Sequence, residues 1–79
     1  MTAKEEPVLI VGAGGAGEIV AEILIKNQSK DFKPVGFVDD DPAKQKRMIL
    51  GLPVLGTRQD IPVLVKREGI KEIIIAIIS

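Results

Sequence analysis

Six consecutive residues stand out for the chemistry their types allow: Gly12, Ala13, Gly14, Gly15, Ala16 and Gly17, a complete G-x-G-x-x-G run. They bring no reactive side chain. What they offer is bare backbone, and each glycine has its own physical task. Gly12 permits a tight turn, with a φ that other residues avoid. Gly14 lacks the Cβ that would hold a diphosphate away from the main chain, and Gly17 lets a following helix lie close on a preceding strand. The first amides of such a helix have no intrahelical acceptor, and with the helix dipole they make an anion site. A glycine run alone is a weak signal, because a turn shaped only for helix–strand packing needs the same residues. Its surroundings decide.

Those surroundings fit. Residues 7–11 (PVLIV) form a short, continuous apolar run, the pattern of a strand buried on both faces. Beyond the glycines, Ile19, Val20, Ile23 and Leu24 recur at helical spacing, with Glu18, Glu22 and Lys26 between them, which predicts a helix over 16–27. Polar residues 27–31 end it. A second strand is expected over 35–39 (VGFVD), opened by Pro34 at a tolerated edge position. It closes on Asp39, about 20 residues beyond the glycines, where a carboxylate accepts the hydroxyls of an adenosine ribose. A carboxylate there repels a 2′-phosphate and favours NAD over NADP. Lys44, Lys46 and Arg47 follow downstream and soften that preference. Asp40 borders the same place and joins the candidate contacts, although turn and capping roles account for Asp40 and Asp41 more simply. Glu18 suits the positive end of the helix dipole as an exposed first-turn residue.

Further along, Asp41-Pro42 reads as a helix cap followed by Pro at the first helical position, starting a turn or two towards Lys46. Residues 52–55, between Gly51 and Gly56, form a short third strand. Thr57 and Asp60 have capping-box spacing with Asp in place of Glu or Gln. Thr57 also lies at the carboxyl edge of its strand, within range of a ribose or diphosphate, but capping explains it. Pro62 opposes a smooth helix through Ile61, so a turn is expected at 58–60 and a helix over 61–68, stopped by Gly69. Residues 72–77 (EIIIAI) form the fourth strand. Phe37 and Met48 are read as core or pocket wall. Strands alternating with helices imply parallel pairing through right-handed crossovers. The expected fold is therefore α/β: a half-Rossmann unit with a four-stranded, mainly parallel sheet in the order 3-2-1-4 and helices on both faces. Its crevice falls at the end of the first strand, where the glycines are.

Composition narrows the functions available. The 79 residues allow one domain, 1–79, with an ordered core over 7–79. Eleven basic and eleven acidic residues cancel, and there are two Phe and no Tyr or Trp. Neither the charge excess nor the stacking platforms of a nucleic-acid binder are present. There is no Cys and no His, which removes thiolate and imidazole chemistry and the usual transition-metal ligands. No catalytic or metal-binding residue is assigned, and free-standing catalysis is not expected. The charged opening lacks a signal-peptide core, and the longest apolar run is strand-sized; both point to a cytoplasmic chain without membrane contact.

VLIVGAGGAGEIVAEIL, VGFVDDDP, GLPVLGT and IKEIIIAI together resemble the nucleotide-binding domain at the front of bacterial polysaccharide-biosynthesis proteins, a CoA-binding-like domain family. The likeness runs from about Pro7 onward; Ile78 stands where that family often has Pro. Members include membrane-associated nucleotide-sugar 4,6-dehydratases, which are epimerase-like, and certain undecaprenyl-phosphate sugar transferases. The resemblance implies an NAD-type nucleotide at the glycines and a separate C-terminal domain, bearing Tyr and Lys, that does the catalysis. Two other families share parts of the pattern. The front domain of left-handed β-helix sugar acetyltransferases implies a UDP-sugar, and the CoA-binding domain of succinyl-CoA synthetase-like proteins implies CoA. The chain is accordingly expected to be a piece of a larger protein. Its wholly apolar fourth strand would be an open edge that pairs with a second copy or a neighbouring domain.

Overall fold

The computed structural model describes residues 5–26 and 31–77. Residues 27–30 of the polar stretch expected to end the first helix, and the chain beyond Ile77, including Ile78, lie outside them.

Strand β1 (Glu6–Val11) lies inside the sheet, with β2 (Phe32–Val38) and β5 (Glu72–Ile75) parallel to it on either side. Strand β4 (Leu52–Gly56) pairs in parallel with β2 and carries β3 (Met48–Ile49) antiparallel on its outer edge. The sheet order is β3-β4-β2-β1-β5. The four parallel strands thus lie in the expected order, and β3 makes a fifth that the sequence reading missed. Its cause is local. Leu50 and Gly51 both have positive φ, 54° and 79°, and close a two-residue hairpin between Ile49 and Leu52. Such a turn normally carries Asn-Gly or Asp-Gly, so Leu-Gly gave no hairpin signal. Met48 lies on this edge and is 64% exposed, a correction to its reading as core or pocket wall.

Strand β2 begins three residues earlier than expected, and Pro34 lies inside it. Pro34 sits on the half of β2 that β4 does not reach, and the β1–β2 register slips there from Val8↔Pro34 to Leu9↔Gly36. A residue without an N–H is tolerated where one side of the strand is unpaired and the ladder is already irregular.

Alternate residues of β1 feed two cores. Val8 and Ile10 pack with Ala13, Ala21, Phe37 and Val54 beneath helix α1 (Gly15–Lys26). Leu9 packs with Val38, Leu64 and Ile70 beneath helix α2 (Ile61–Glu68), on the opposite face. Helices on both faces explain why β1 reads as an unbroken apolar run. Before α2, Thr57 accepts from the Gln59 amide while Asp60 accepts from the Thr57 amide, so the capping box forms around a 3-10 turn at Arg58–Asp60. Gly69, in the left-handed region, ends α2.

Candidate functional site

The carboxyl ends of β1, β2, β4 and β5 meet at one rim, stitched by short bonds. The Gly12 amide donates to Val38 O (2.8 Å), the Asp39 amide to Gly56 O (3.0 Å) and the Ala76 amide to Val11 O (2.8 Å). Gly12 turns the chain off β1 with φ 110°, and a Cβ there would lie 2.6 Å from Ala76 O. A Cβ on Gly17 would run into the Gly12 carbonyl, so α1 approaches β1 as closely as backbone allows. At Gly14 and Gly15 the opposite holds. A Cβ on Gly15 would meet nothing within 4 Å, and one on Gly14 only Lys44 Nζ at 3.8 Å. Two glycines are thus required by packing, and two face open space.

Helix geometry leaves the amides of Gly14, Gly15, Ala16 and Gly17 without intrahelical acceptors. The Ala13 amide is not among them, because it donates to Asp39 Oδ2 (2.8 Å). Asp39 Oδ1 accepts from the Asp41 amide (2.9 Å). These two backbone donors, Ala13 first, hold the Asp39 carboxyl below the usual carboxylate range; partial burial opposes them, and the Lys44 charge adds a smaller push downward. Asp39 therefore bolts the glycine loop to the end of β2, a task the sequence reading did not foresee. Each of its oxygens accepts one bond and retains a second lone pair for a ribose hydroxyl.

Lys44 completes the bolt. Asp41 accepts from the Ala43 amide and caps the 3-10 turn Pro42–Lys44, as expected of it. That turn sends Lys44 Nζ back to Ala13 O (3.1 Å). The peptide units on both sides of Ala13 are thereby held, one by a carboxylate and one by an ammonium, and a cation stands beside the open glycines. Gln45 Nε2 donates to Asp39 O and helps fix the same corner.

Asp40 turns the other way. Its Oδ1 accepts from the Arg58 amide (3.0 Å), and its Oδ2 faces Arg58 Nε (3.1 Å). Arg58 was missed in the sequence, where the only cue is its place one residue after Thr57 at the end of β4. It lines a cleft of about 220 Å³ with Val11, Gly12, Val38, Asp39, Asp40 and Ile77. A second opening, sharing Gly12, Asp39 and Ile77, extends over Gly14, Gly15 and Ala16. Glu18 is exposed and lines neither opening. Of the residues singled out in the sequence, Gly12, Gly14, Gly15, Ala16, Asp39 and Asp40 line these openings, while Ala13 and Gly17 are buried. Among the described residues no group of three or more acidic side chains could hold a metal ion, and no helix is long and apolar enough to cross a membrane.

A family model described as a CoA-binding domain matches residues 2–78. The chain belongs to the CoA-binding domain family. It is 44% identical over 71 residues to the probable polysaccharide biosynthesis protein EpsC of Bacillus subtilis (strain 168), covering 90% of this chain. It is 43% identical over 75 residues to the capsular polysaccharide biosynthesis protein CapD of Staphylococcus aureus, covering 94% of it. The chain spans 12% of the length of each, so these relatives are much longer proteins. The resemblance to polysaccharide-biosynthesis proteins is thereby borne out. Among solved structures, UDP-D-quinovosamine 4-dehydrogenase from Vibrio fischeri superposes with a TM-score of 0.78 at 34% identity, over 90% of this chain and 56% of that one. The Rex-family repressor RSP superposes with a TM-score of 0.84 at 22% identity, over 96% of this chain and 35% of that one, a likeness of fold. RSP has also been solved in complex with β-NADH.

Proposed function

We propose that this chain is the NAD(H)-binding unit of a longer polysaccharide-biosynthesis protein that modifies a nucleotide-sugar as a 4,6-dehydratase or epimerase. The observation that carries the reading is the open cradle over Gly14 and Gly15, bordered by unpaired first-turn amides and by the Lys44 ammonium. A diphosphate fits it: the amides of Gly14, Gly15, Ala16 and Gly17 donate to the phosphate oxygens, and Gly12 and Ala13 shape the turn beneath. Asp39 receives the ribose hydroxyls on its spare lone pairs, with Asp40 at the margin. Bound NAD would supply hydride acceptance and return. This chain's residues bind and orient it and carry no proton or nucleophile of their own, so catalysis rests with a further domain. Residues 1–79 act as one binding domain, in a protein that faces the cytoplasm and is anchored to the membrane elsewhere.

A second reading, a UDP-sugar ligand, is favoured by the 34% identity to a protein that acts on UDP-D-quinovosamine, and the family's description adds CoA. All three ligands share a nucleoside diphosphate. Isothermal titration of the chain with NADH, UDP-N-acetylglucosamine and CoA in parallel separates them. Tightest binding of NADH is expected. Tightest binding of either other ligand assigns the cradle to that ligand, and no heat from any of the three ends the nucleotide reading.

A further inference from the structure

Arg58 is the one cation among the described residues that line the cleft of about 220 Å³, and the cradle does not account for it. The cleft has aliphatic walls, Val11, Val38 and Ile77, a backbone floor at Gly12, and carboxylates at Asp39 and Asp40. Arg58 enters from the end of β4. Asp40 meets Arg58 twice, at the backbone amide and at the side-chain Nε, although the pair is exposed to solvent. An ion pair this exposed contributes little to stability. What it does is hold a planar guanidinium at the edge of an apolar slot. An aliphatic lining with a planar cation at its edge suits a nucleobase, whose ring stacks on guanidinium. It does not suit a 2′-phosphate. Nε is already engaged, and two carboxylates would face the dianion across the slot.

We infer that Arg58, positioned by Asp40, is the nucleobase-binding residue of this chain and stacks on the purine or pyrimidine of the bound nucleoside diphosphate. The inference rests on the nucleotide reading above and adds to it which residue reads the base and how. It also makes Asp40 a positioning residue for Arg58 rather than a ribose ligand.

The test compares ADP with inorganic pyrophosphate on the full 79-residue chain. The double variant Asp40→Asn/Arg58→Gln leaves the net charge unchanged. It is expected to bind ADP about tenfold more weakly, the usual scale of a desolvated cation–π contact, and pyrophosphate as the parent does. Arg58→Lys keeps the charge and can keep the ion pair but has no plane to stack; it is expected to show the same selective loss, which guards against a folding defect in the double variant. In the parent chain, ADP should move the Arg58 Hε and Hδ resonances upfield through the ring current, while pyrophosphate should not. Unchanged ADP affinity in both variants overturns the inference, as does an equal loss for ADP and pyrophosphate. A selective loss for NADPH with NADH unaffected overturns it in favour of a 2′-phosphate contact. If the parent chain binds neither ADP nor pyrophosphate, the nucleotide reading itself has failed, a result distinct from failure of the Arg58 assignment.

Discussion

At the scale of single residues, the glycine run divides into two pairs with opposite sensitivities. Gly17→Ala drives a Cβ into the Gly12 carbonyl, which neither backbone can yield cheaply. It is expected to cost about 3 kcal/mol of stability, read by urea unfolding. Gly15→Ala meets nothing within 4 Å and sits at the first helical position, so it is expected to be neutral or to stabilise by about 0.5 kcal/mol. Gly14→Val separates binding from folding. A Cβ there would meet only Lys44 Nζ, at 3.8 Å, so the thermal midpoint should fall only slightly. The branched side chain would occupy the diphosphate's place, so NADH binding should be lost. Unchanged affinity would put the ligand elsewhere.

Asp39 gives a pH dependence with a definite sign. Its carboxyl is held below its ordinary value by the Ala13 and Asp41 amides. Its contribution is thus fully present above the unfolded value and is lost as pH falls through the lower folded value. Stability should be insensitive to this group above about pH 5 and should decline through it below pH 4. Asp39→Asn keeps one carbonyl oxygen where two carboxylate oxygens accepted. It should lose about 1 kcal/mol at neutral pH, allowing for solvent screening, and lack that part of the acid decline. Acid titrations of parent and variant that run parallel would contradict the bolt.

At the scale of elements, most of the chain was legible because local signals and global packing agree. Residues 7–11 read as a doubly buried strand because helices do cover both faces. Pro62, Gly69 and the Thr57–Asp60 pair placed the 3-10 turn and α2 at their observed limits. Two features were not legible, for different reasons. Strand β3 depends on a hairpin whose first turn residue, Leu50, takes a left-handed conformation that its side chain disfavours. Only the tertiary fit of Ile49 and Leu52 against the core beneath α1 makes that tolerable. Leu50→Asn should therefore stabilise the chain by about 1 kcal/mol, measured by thermal or urea unfolding. A loss of stability would show that the half-exposed Leu50 side chain matters more than its backbone. The second feature is the long-range bolt. Nothing in the local spacing says that Asp39 and Lys44 both close on Ala13, or that Asp40 reaches Arg58, because these bonds exist only once β1, β2 and β4 lie side by side.

At the scale of the whole molecule, the described residues leave one long apolar border. Strand β5 is the outermost parallel strand; Ile73 and Ile75 on it and Ile77 beyond its end are all exposed, Ile75 to 73%. An edge of this kind invites pairing. Light scattering across a concentration series is expected to show weak self-association, and Ile75→Lys should suppress it. A monomer at every concentration would remove the pairing expectation.

Nucleotide binding by this chain requires that the first-turn amides of α1 receive a diphosphate. Following the backbone amide resonances of the chain while NADH is added reads that requirement directly. The largest changes are expected at Gly14, Gly15, Ala16 and Gly17, with a smaller one at Asp39, and all of them should disappear in Gly14→Val. Resonances that stay still over Gly14 to Gly17 while others move, or that move equally in Gly14→Val, would contradict it.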